Sequence, residues 1–355
     1  MDQSGSLILA MESSCDETAV ALVSREGDVQ AHALASQIDT HRKYGGVVPE
    51  VASRAHFETL DALVSEVLNS TNLRPTDVRA VAATSGPGLL GPLLVGVSYA
   101  QGLARGWGCP FIGVHHLRGH LASSLLGIHP EQSLNERAAR VFPALVLLVS
   151  GGHTQILEVD ERLRARKLAD TADDAAGECF DKSAKLMGLG YPGGPALEAL
   201  ALKLPPSDQG RAKELFKALP RPRSDEGYSF SGLKTAVRLK LEKDAALTTD
   251  PAFAWAVQEA IADTLIRGLD RQAGALESGT EFRSLVFCGG VAANRRLRAR
   301  VGEWAASKGL ELVVPPLKYC TDNAVMIATA AWIQDPALAL PQVIARTPLE
   351  PTSAS

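Results

Sequence analysis

Cysteine is scarce and unsystematic in this chain. There are five among 355 residues: Cys15, Cys109, Cys179, Cys288 and Cys320. The number is odd, the positions are scattered, and no C-x-x-C pair occurs. A disulfide framework is disfavoured, and the expected setting is the reducing cytoplasm. Long apolar runs are missing too. None approaches the ~20 residues that span a bilayer, so no membrane partner is expected. The apolar run at Leu7 to Met11 lacks a basic flank and is too short for a signal peptide. Neither charge dominates: 36 Lys and Arg stand against 40 Asp and Glu, a net charge of −4. That balance argues against a strongly basic nucleic-acid binder, although it leaves room for a local basic patch.

What is present is 46% apolar and 21% charged. This is the composition of a soluble globular protein, at a length that suits two domains. The most informative stretch is F-I-G-V-H-H-L-R-G-H-L-A-S-S-L-L, Phe111 to Leu126. A short apolar strand runs into a helix bearing His116 and His120, four apart and hence on one face. Such a pair can grip one metal ion, or it can be two packed histidines. The spacing is that of H-E-x-x-H. Leu117, however, stands where a metallopeptidase carries its general-base glutamate, so the pair points to metal more than to proteolysis. A third ligand must come from elsewhere. Asp322 is the candidate, since two histidines and a carboxylate with open positions suit ferrous iron or zinc. The other reading makes Asp322 a helix-dipole carboxylate, with Thr321 as N-cap and Asp322 in the first turn of a helix through Trp332.

Strands are expected at Leu7 to Met11, Thr18 to Val23 and Val29 to Ala35, and the first turn holds Asp16 and Glu17. Gly45-Gly46 marks a loop before an amphipathic helix from Glu50 to Leu68. A strand at Arg79 to Thr84 meets the glycine loop Ser85 to Pro92, which leads into a helix through Ala104. Its spacing is neither G-x-G-x-x-G nor Walker A, so no dinucleotide or P-loop claim follows. His129 to Arg140 reads as a surface loop or linker. The pattern then restarts, with strands at Ala144 to Val149, Gln155 to Val159 and Arg164 to Ala169. Sliding by 136 residues aligns Ser14 with Ser150 and Thr18 with Thr154. Two similar halves are expected, each opening with a hairpin whose tip can face a ligand. Gly151 and Gly152 allow the close backbone approach of a phosphate cradle, or simply a tight turn. Asp181 can accept hydrogen bonds from a sugar or an amino group. Gly289-Gly290, followed by Asn294, sits at a strand-to-helix junction suited to a base or ribose. Arg295, Arg296, Arg298 and Arg300 read as a solvated helix face. Leu204 to Gly227 reads as a Pro-rich, charged insertion with a helix at Ala212 to Ala218. The tail is expected to be loosely ordered beyond Pro348.

Taken together, I-L-A-M-E-S-S-C-D-E-T-A, Y-G-G-V-V-P-E, S-G-P-G-L-L-G-P, H-H-L-R-G-H, L-V-S-G-G-H-T, G-E-C-F-D-K, Y-P-G-G-P, F-S-G-L-K-T, C-G-G-V-A-A-N and Y-C-T-D-N-A resemble the universal tRNA threonylcarbamoyladenosine transferase family. That family was formerly labelled an O-sialoglycoprotein endopeptidase. The motifs run in order from residue 7 to about 330.

The resemblance implies an α/β fold of the actin/Hsp70/sugar-kinase-like class, two ribonuclease H-like lobes with a nucleotide cleft between them. Residues 1–135, completed by a C-terminal helix at about 322–345, would form one lobe. Residues 136–321, with an insertion near 204–227, would form the other. It implies one divalent metal, Fe2+ or else Zn2+, at His116, His120 and Asp322. It implies phosphate contact by Val149, Ser150, Gly151, Gly152 and His153, and contacts to an ATP- or AMP-type nucleotide from Asp181, Gly194 and Asn294. Glu198 stands in the region where some members carry a contacting aspartate.

The implied reaction moves an L-threonylcarbamoyl group from threonylcarbamoyl-AMP to N6 of adenosine 37 in tRNAs reading ANN codons, releasing AMP. Asp16, Glu17 and the leaving phosphate are the candidate bases. The implied partners are tRNA, an inactive paralogue that pairs through N-lobe helices, and a small P-loop ATPase. A metallopeptidase and an actin-like ATPase or kinase are the competing readings.

Overall fold

The computed structural model describes residues 7–44, 46–71, 73–222, 227–276 and 281–349. Gly45 of the glycine-pair loop, 223–226 of the expected insertion and 350–355 of the expected tail lie outside the described residues. The chain divides into two compact units. The first comprises Met1–Phe142, Val159–Arg166 and Pro315–Ser355; the second comprises Pro143–Glu158 and Lys167–Val314.

In the first unit, strands β1 (Leu7–Glu12), β2 (Glu17–Ser24), β3 (Val29–Ser36), β4 (Val78–Gly86) and β5 (Phe111–His115) form a sheet in the order β3-β2-β1-β4-β5. β1 is antiparallel to β2 and parallel to β4. Every residue of β1 is buried, as a strand covered on both faces requires, while the edge strand β3 is mostly accessible. The helix Pro49–Thr71 sets Leu60, Val64 and Val67 into the core of this unit. It begins at a proline, which the first helical position tolerates because its N–H would be unpaired anyway.

The second unit carries β6 (Ala144–Val149), β7 (Thr154–Val159), β8 (Ala165–Thr171), β9 (Gly227–Tyr228), β10 (Ser284–Cys288) and β11 (Glu311–Val313). Their order is β11-β10-β6-β7-β8-β9. Apart from the short β9, this repeats the order of the first sheet, strand for strand, which is the architecture behind the 136-residue offset. Each unit has the ribonuclease H-like order.

Two expectations about local structure need correcting. Residues 129–140 are not all loop, since Leu134–Val141 is a helix. Ser133 and Glu136 form a reciprocal capping box, and Leu134, Ala138 and Val141 supply the apolar face. The helix expected at Ala212 to Ala218 spans Gln209–Lys217. It buries Ala212 and lays Phe216 edge-on to Trp255 of the helix Pro251–Leu276, with ring centroids 6.3 Å apart. The expected C-terminal helix to about 345 stops earlier, at Ile333.

Beyond Ile333 the chain returns as an irregular strap along the first sheet. Leu340 N donates to Gly113 O at 2.9 Å and Ile344 N to Ser85 O at 2.8 Å. Gly113 makes this approach possible, because a Cβ there would sit 1.7 Å from Leu340 O. Buried Arg118 donates to Leu338 O at 3.3 Å and to Leu349 O at 2.8 Å. Among the described residues, no helix is long and apolar enough to cross a membrane.

Candidate metal centre and nucleotide contacts

β5 runs directly into the helix His116–Ser123, and His115 caps that helix by accepting from Leu117 N at 3.2 Å. His116 and His120 therefore share one side, their rings edge to face with centroids 4.8 Å apart. Gly119 lets this helix pack closely on the helix Ala324–Ile333, because a Cβ there would lie only 2.8 Å from Ile327 Cδ1.

The start of the second helix departs from expectation. Asn323, not Thr321, is its N-cap, accepting from Met326 N at 2.9 Å. Its amide also donates to Thr321 O at 2.7 Å, which holds the preceding turn. Asp322 thus sits outside the helix rather than in its first turn. Its Oδ1 lies 3.5 Å from His116 Nε2 and 3.3 Å from His120 Nε2. The three side chains each offer a ligand atom, all within 4.8 Å of one another.

The donor set fits a divalent ion. Ligands about 2.0–2.1 Å from zinc stand roughly 3.3 Å apart in a tetrahedron, close to the two carboxylate–imidazole distances. Buried His120 has no partner on Nδ1, and its Nε2 has only the Asp322 carboxylate, 3.3 Å away; a buried polar atom left unpaired costs free energy. The charge also fits. Glu12 is fully buried and Asp322 only 27% exposed, and among the described residues neither pairs with a Lys or Arg. Burial alone would push the His116 imidazole down, but Asp322 and then Glu12 outweigh it and hold it well above its usual range. Burial likewise opposes the Asp322 carboxylate, and His116 and then His120 hold it below the usual carboxylate range.

Glu12 was not legible as a site residue. It ends β1 and accepts from Ser14 N at 2.6 Å and Thr84 Oγ1 at 2.6 Å, with His116 Nδ1 3.1 Å away. Asp16 lies in the turn that follows, and Glu17 opens β2. Glu17 Oε1 accepts from Ser36 Oγ at 2.8 Å, while Oε2 is buried without a partner. Burial lifts its carboxyl to about 7, with Asp16 and Asp322 adding repulsion against the Ser36 hydrogen bond.

In the second unit, Val149 closes β6 and Ser150–His153 forms the hairpin tip, held by Ser150 N donating to His153 O at 2.8 Å. Gly151 and Gly152 are exposed, with open space where a Cβ would stand. Gly177 brings the helix Ala176–Leu186 against the tip, since a Cβ there would lie 2.4 Å from Ser150 O. Asp181 on that helix accepts from Gly193 N at 2.8 Å and from Gly194 N as well, so Asp181 and Gly194 come together. Burial nonetheless raises the Asp181 carboxyl.

Asn294 is committed inside the unit. It caps the helix Arg295–Ser307 through Leu297 N at 3.0 Å and donates to Gln258 Oε1 at 2.9 Å. Glu198 accepts from Arg295 N at 2.7 Å. The expected solvated arginine face is mostly engaged. Arg296 and Arg300 pair with the buried Glu259, and Arg298 bonds Ala292 O.

A family model for tRNA N6-adenosine threonylcarbamoyltransferase matches residues 28–329. A relative of that description from Bordetella avium (strain 197N) is 49% identical over 334 residues, covering 92% of this chain and 90% of the relative. Another, from Verminephrobacter eiseniae (strain EF01-2), is 47% identical over 336 residues, covering 92% and 91%. Among solved structures, full-length HypF in the phosphate- and nucleotide-bound form superposes with a TM-score of 0.52 at 14% identity, covering 93% of this chain and 46% of that one. That last likeness is one of fold alone.

The repeated sheet order and this likeness give the chain an actin/Hsp70/sugar-kinase-like fold, with a His–His–Asp group that could hold a metal ion in its first unit. The closer similarities go further: the chain belongs to the tRNA N6-adenosine threonylcarbamoyltransferase family.

Proposed function

We propose that this protein transfers an L-threonylcarbamoyl group from threonylcarbamoyl-AMP to N6 of adenosine 37 in tRNAs reading ANN codons, releasing AMP. The observation that carries the reading is the convergence of His116, His120 and Asp322 in a chain of this family. These three residues would hold one divalent ion, Fe2+ or Zn2+, which supplies Lewis-acid polarisation or steadies a phosphate. The donor is a mixed carbonic–phosphoric anhydride, so N6 attacks its carbonyl and AMP leaves with the bonding pair. N6 must also shed a proton. Glu17 suits that task, because a carboxyl lifted to about 7 accepts a proton near neutral pH without holding it too weakly. Asp16, beside it, is the second candidate. The exposed amides at Gly151 and Gly152 suit the adenylate phosphate. Asp181 and Gly194 suit the nucleoside, and Asn294 would act there through the loop it caps.

The resemblance also brings an inactive paralogue, a small P-loop ATPase and a cytoplasmic setting. Exposed Phe57, Leu90 and Leu94 support the first of these, with 78%, 56% and 47% exposure. They stand on helices Pro49–Thr71 and Leu90–Trp107, which cross where a Gly91 Cβ would lie 2.3 Å from Ser53 Oγ.

Depletion of the chain should remove threonylcarbamoyladenosine from tRNA, read by nucleoside mass spectrometry. Wild type should restore it and His116→Ala should not. Full restoration by a His116→Ala protein that holds no metal would overturn the metal-assisted reading.

A further inference from the structure

Burying a carboxylate is costly unless it is paired and hydrogen-bonded. Glu12 is 0% exposed, and among the described residues no Lys or Arg pairs with it. Its partners come from separate elements. Ser14 N reaches Oε1 at 2.6 Å from the following turn, and Thr84 Oγ1 reaches Oε2 at 2.6 Å from β4. His116 Nδ1 approaches the same Oε2 at 3.1 Å from the histidine helix.

We infer that Glu12 is the positioning residue of the metal centre: it accepts the Nδ1–H of His116 and so fixes the tautomer and ring orientation that present Nε2 to the ion. This rests on reading His116, His120 and Asp322 as the metal ligands.

The hydrogen-bond inventory puts a proton on Nδ1. An ionised carboxylate can only accept, so Nδ1 facing Oε2 must carry the proton, or two lone pairs would confront each other. The Ser14 hydroxyl, 3.2 Å from Nδ1, can share that proton as a second acceptor. Nε2 faces the other carboxylate, Asp322 Oδ1, 3.5 Å away, and is the nitrogen whose proton an ion held with Asp322 would replace. The two histidines are thus unequal. His120 has no partner on Nδ1, so its ring is held by packing. A carboxylate behind a ligating histidine raises its basicity and spares the ion the cost of ordering it. Glu12→Gln keeps the volume. However, its amide meets three donors with one oxygen and one NH2 group, so at least one donor loses its acceptor and the hold on the ring weakens.

The test is titration of Co2+ into the chelator-stripped full chain, read by the Co2+ absorption bands, for wild type, Glu12→Gln and His116→Ala. Alongside it runs 15N-histidine NMR of the Zn2+-loaded wild type. We expect the dissociation constant of Glu12→Gln to rise 10–100-fold, and His116 to show a protonated Nδ1 with a coordinated Nε2. Equal affinity of a folded Glu12→Gln protein, or a His116 coordinated through Nδ1, overturns the role of Glu12 and leaves the metal centre standing. If Glu12→Gln fails to fold, the wild-type spectrum decides by itself. If wild type binds neither ion, the metal centre itself is overturned, and this inference falls with it.

Discussion

Glu17 has one oxygen bonded to Ser36 and one buried without a partner. Burial lifts its carboxyl from the ordinary 4.5 to about 7. The folded chain therefore binds this proton more tightly than the unfolded chain does. Its contribution to stability is fully present below about pH 4.5 and is lost as pH climbs to about 7. Denaturant midpoints of wild type and Glu17→Gln, measured from pH 4.5 to 8, should diverge in favour of the variant as pH rises. Parallel curves would mean that Glu17 titrates like a surface carboxylate. At this scale the i,i+4 histidines were readable, because helix geometry alone puts them on one face. Glu12 was not, since nothing in a glutamate at the end of an apolar run announces partners at Thr84 and His116.

Two helices bring the ligands together, and each depends on one small or capping residue. Gly119→Ala would drive a Cβ to 2.8 Å from Ile327 Cδ1 and 3.0 Å from Met326 Cγ. Overpacking of this kind costs typically 1–3 kcal/mol. Calorimetry should give a lower melting temperature, and Co2+ titration a weaker affinity, because the helix carrying His120 is pushed off the one following Asp322. Asn323→Ala removes an N-cap and the bond to Thr321 O, with an expected loss of about 1–2 kcal/mol by denaturant titration. Unchanged stability would show that the turn holds without it. The sequence placed this helix but mistook its cap. Thr321 and Asn323 are both good caps, and nothing local in the sequence chooses between them. The box at Ser133 and Glu136 was legible in principle, but the polar residues around it masked a helix with a narrow apolar face.

At the scale of the molecule, the repeat was readable because strand order in each unit follows from the same succession of apolar runs. The return of the C-terminal segment to the first unit was expected from the family resemblance alone, since no local pattern encodes which sheet a late segment joins. The exposed Phe57 and Leu94 belong to this scale as well. Phe57→Asp with Leu94→Asp should abolish co-purification with the paralogue while leaving the isolated chain's melting temperature within about 1 °C, as expected of exposed sites. Retained association would move the docking face elsewhere.

The order of synthesis adds a constraint. Asp322 leaves the ribosome about 200 residues after His120, roughly 10–40 s later at ordinary elongation rates. Throughout that interval the nascent chain offers an ion only a pair of imidazoles. Three-ligand binding must then wait for residue 322, and a protein truncated before it should bind Co2+ more weakly than the full chain however well its opening half folds.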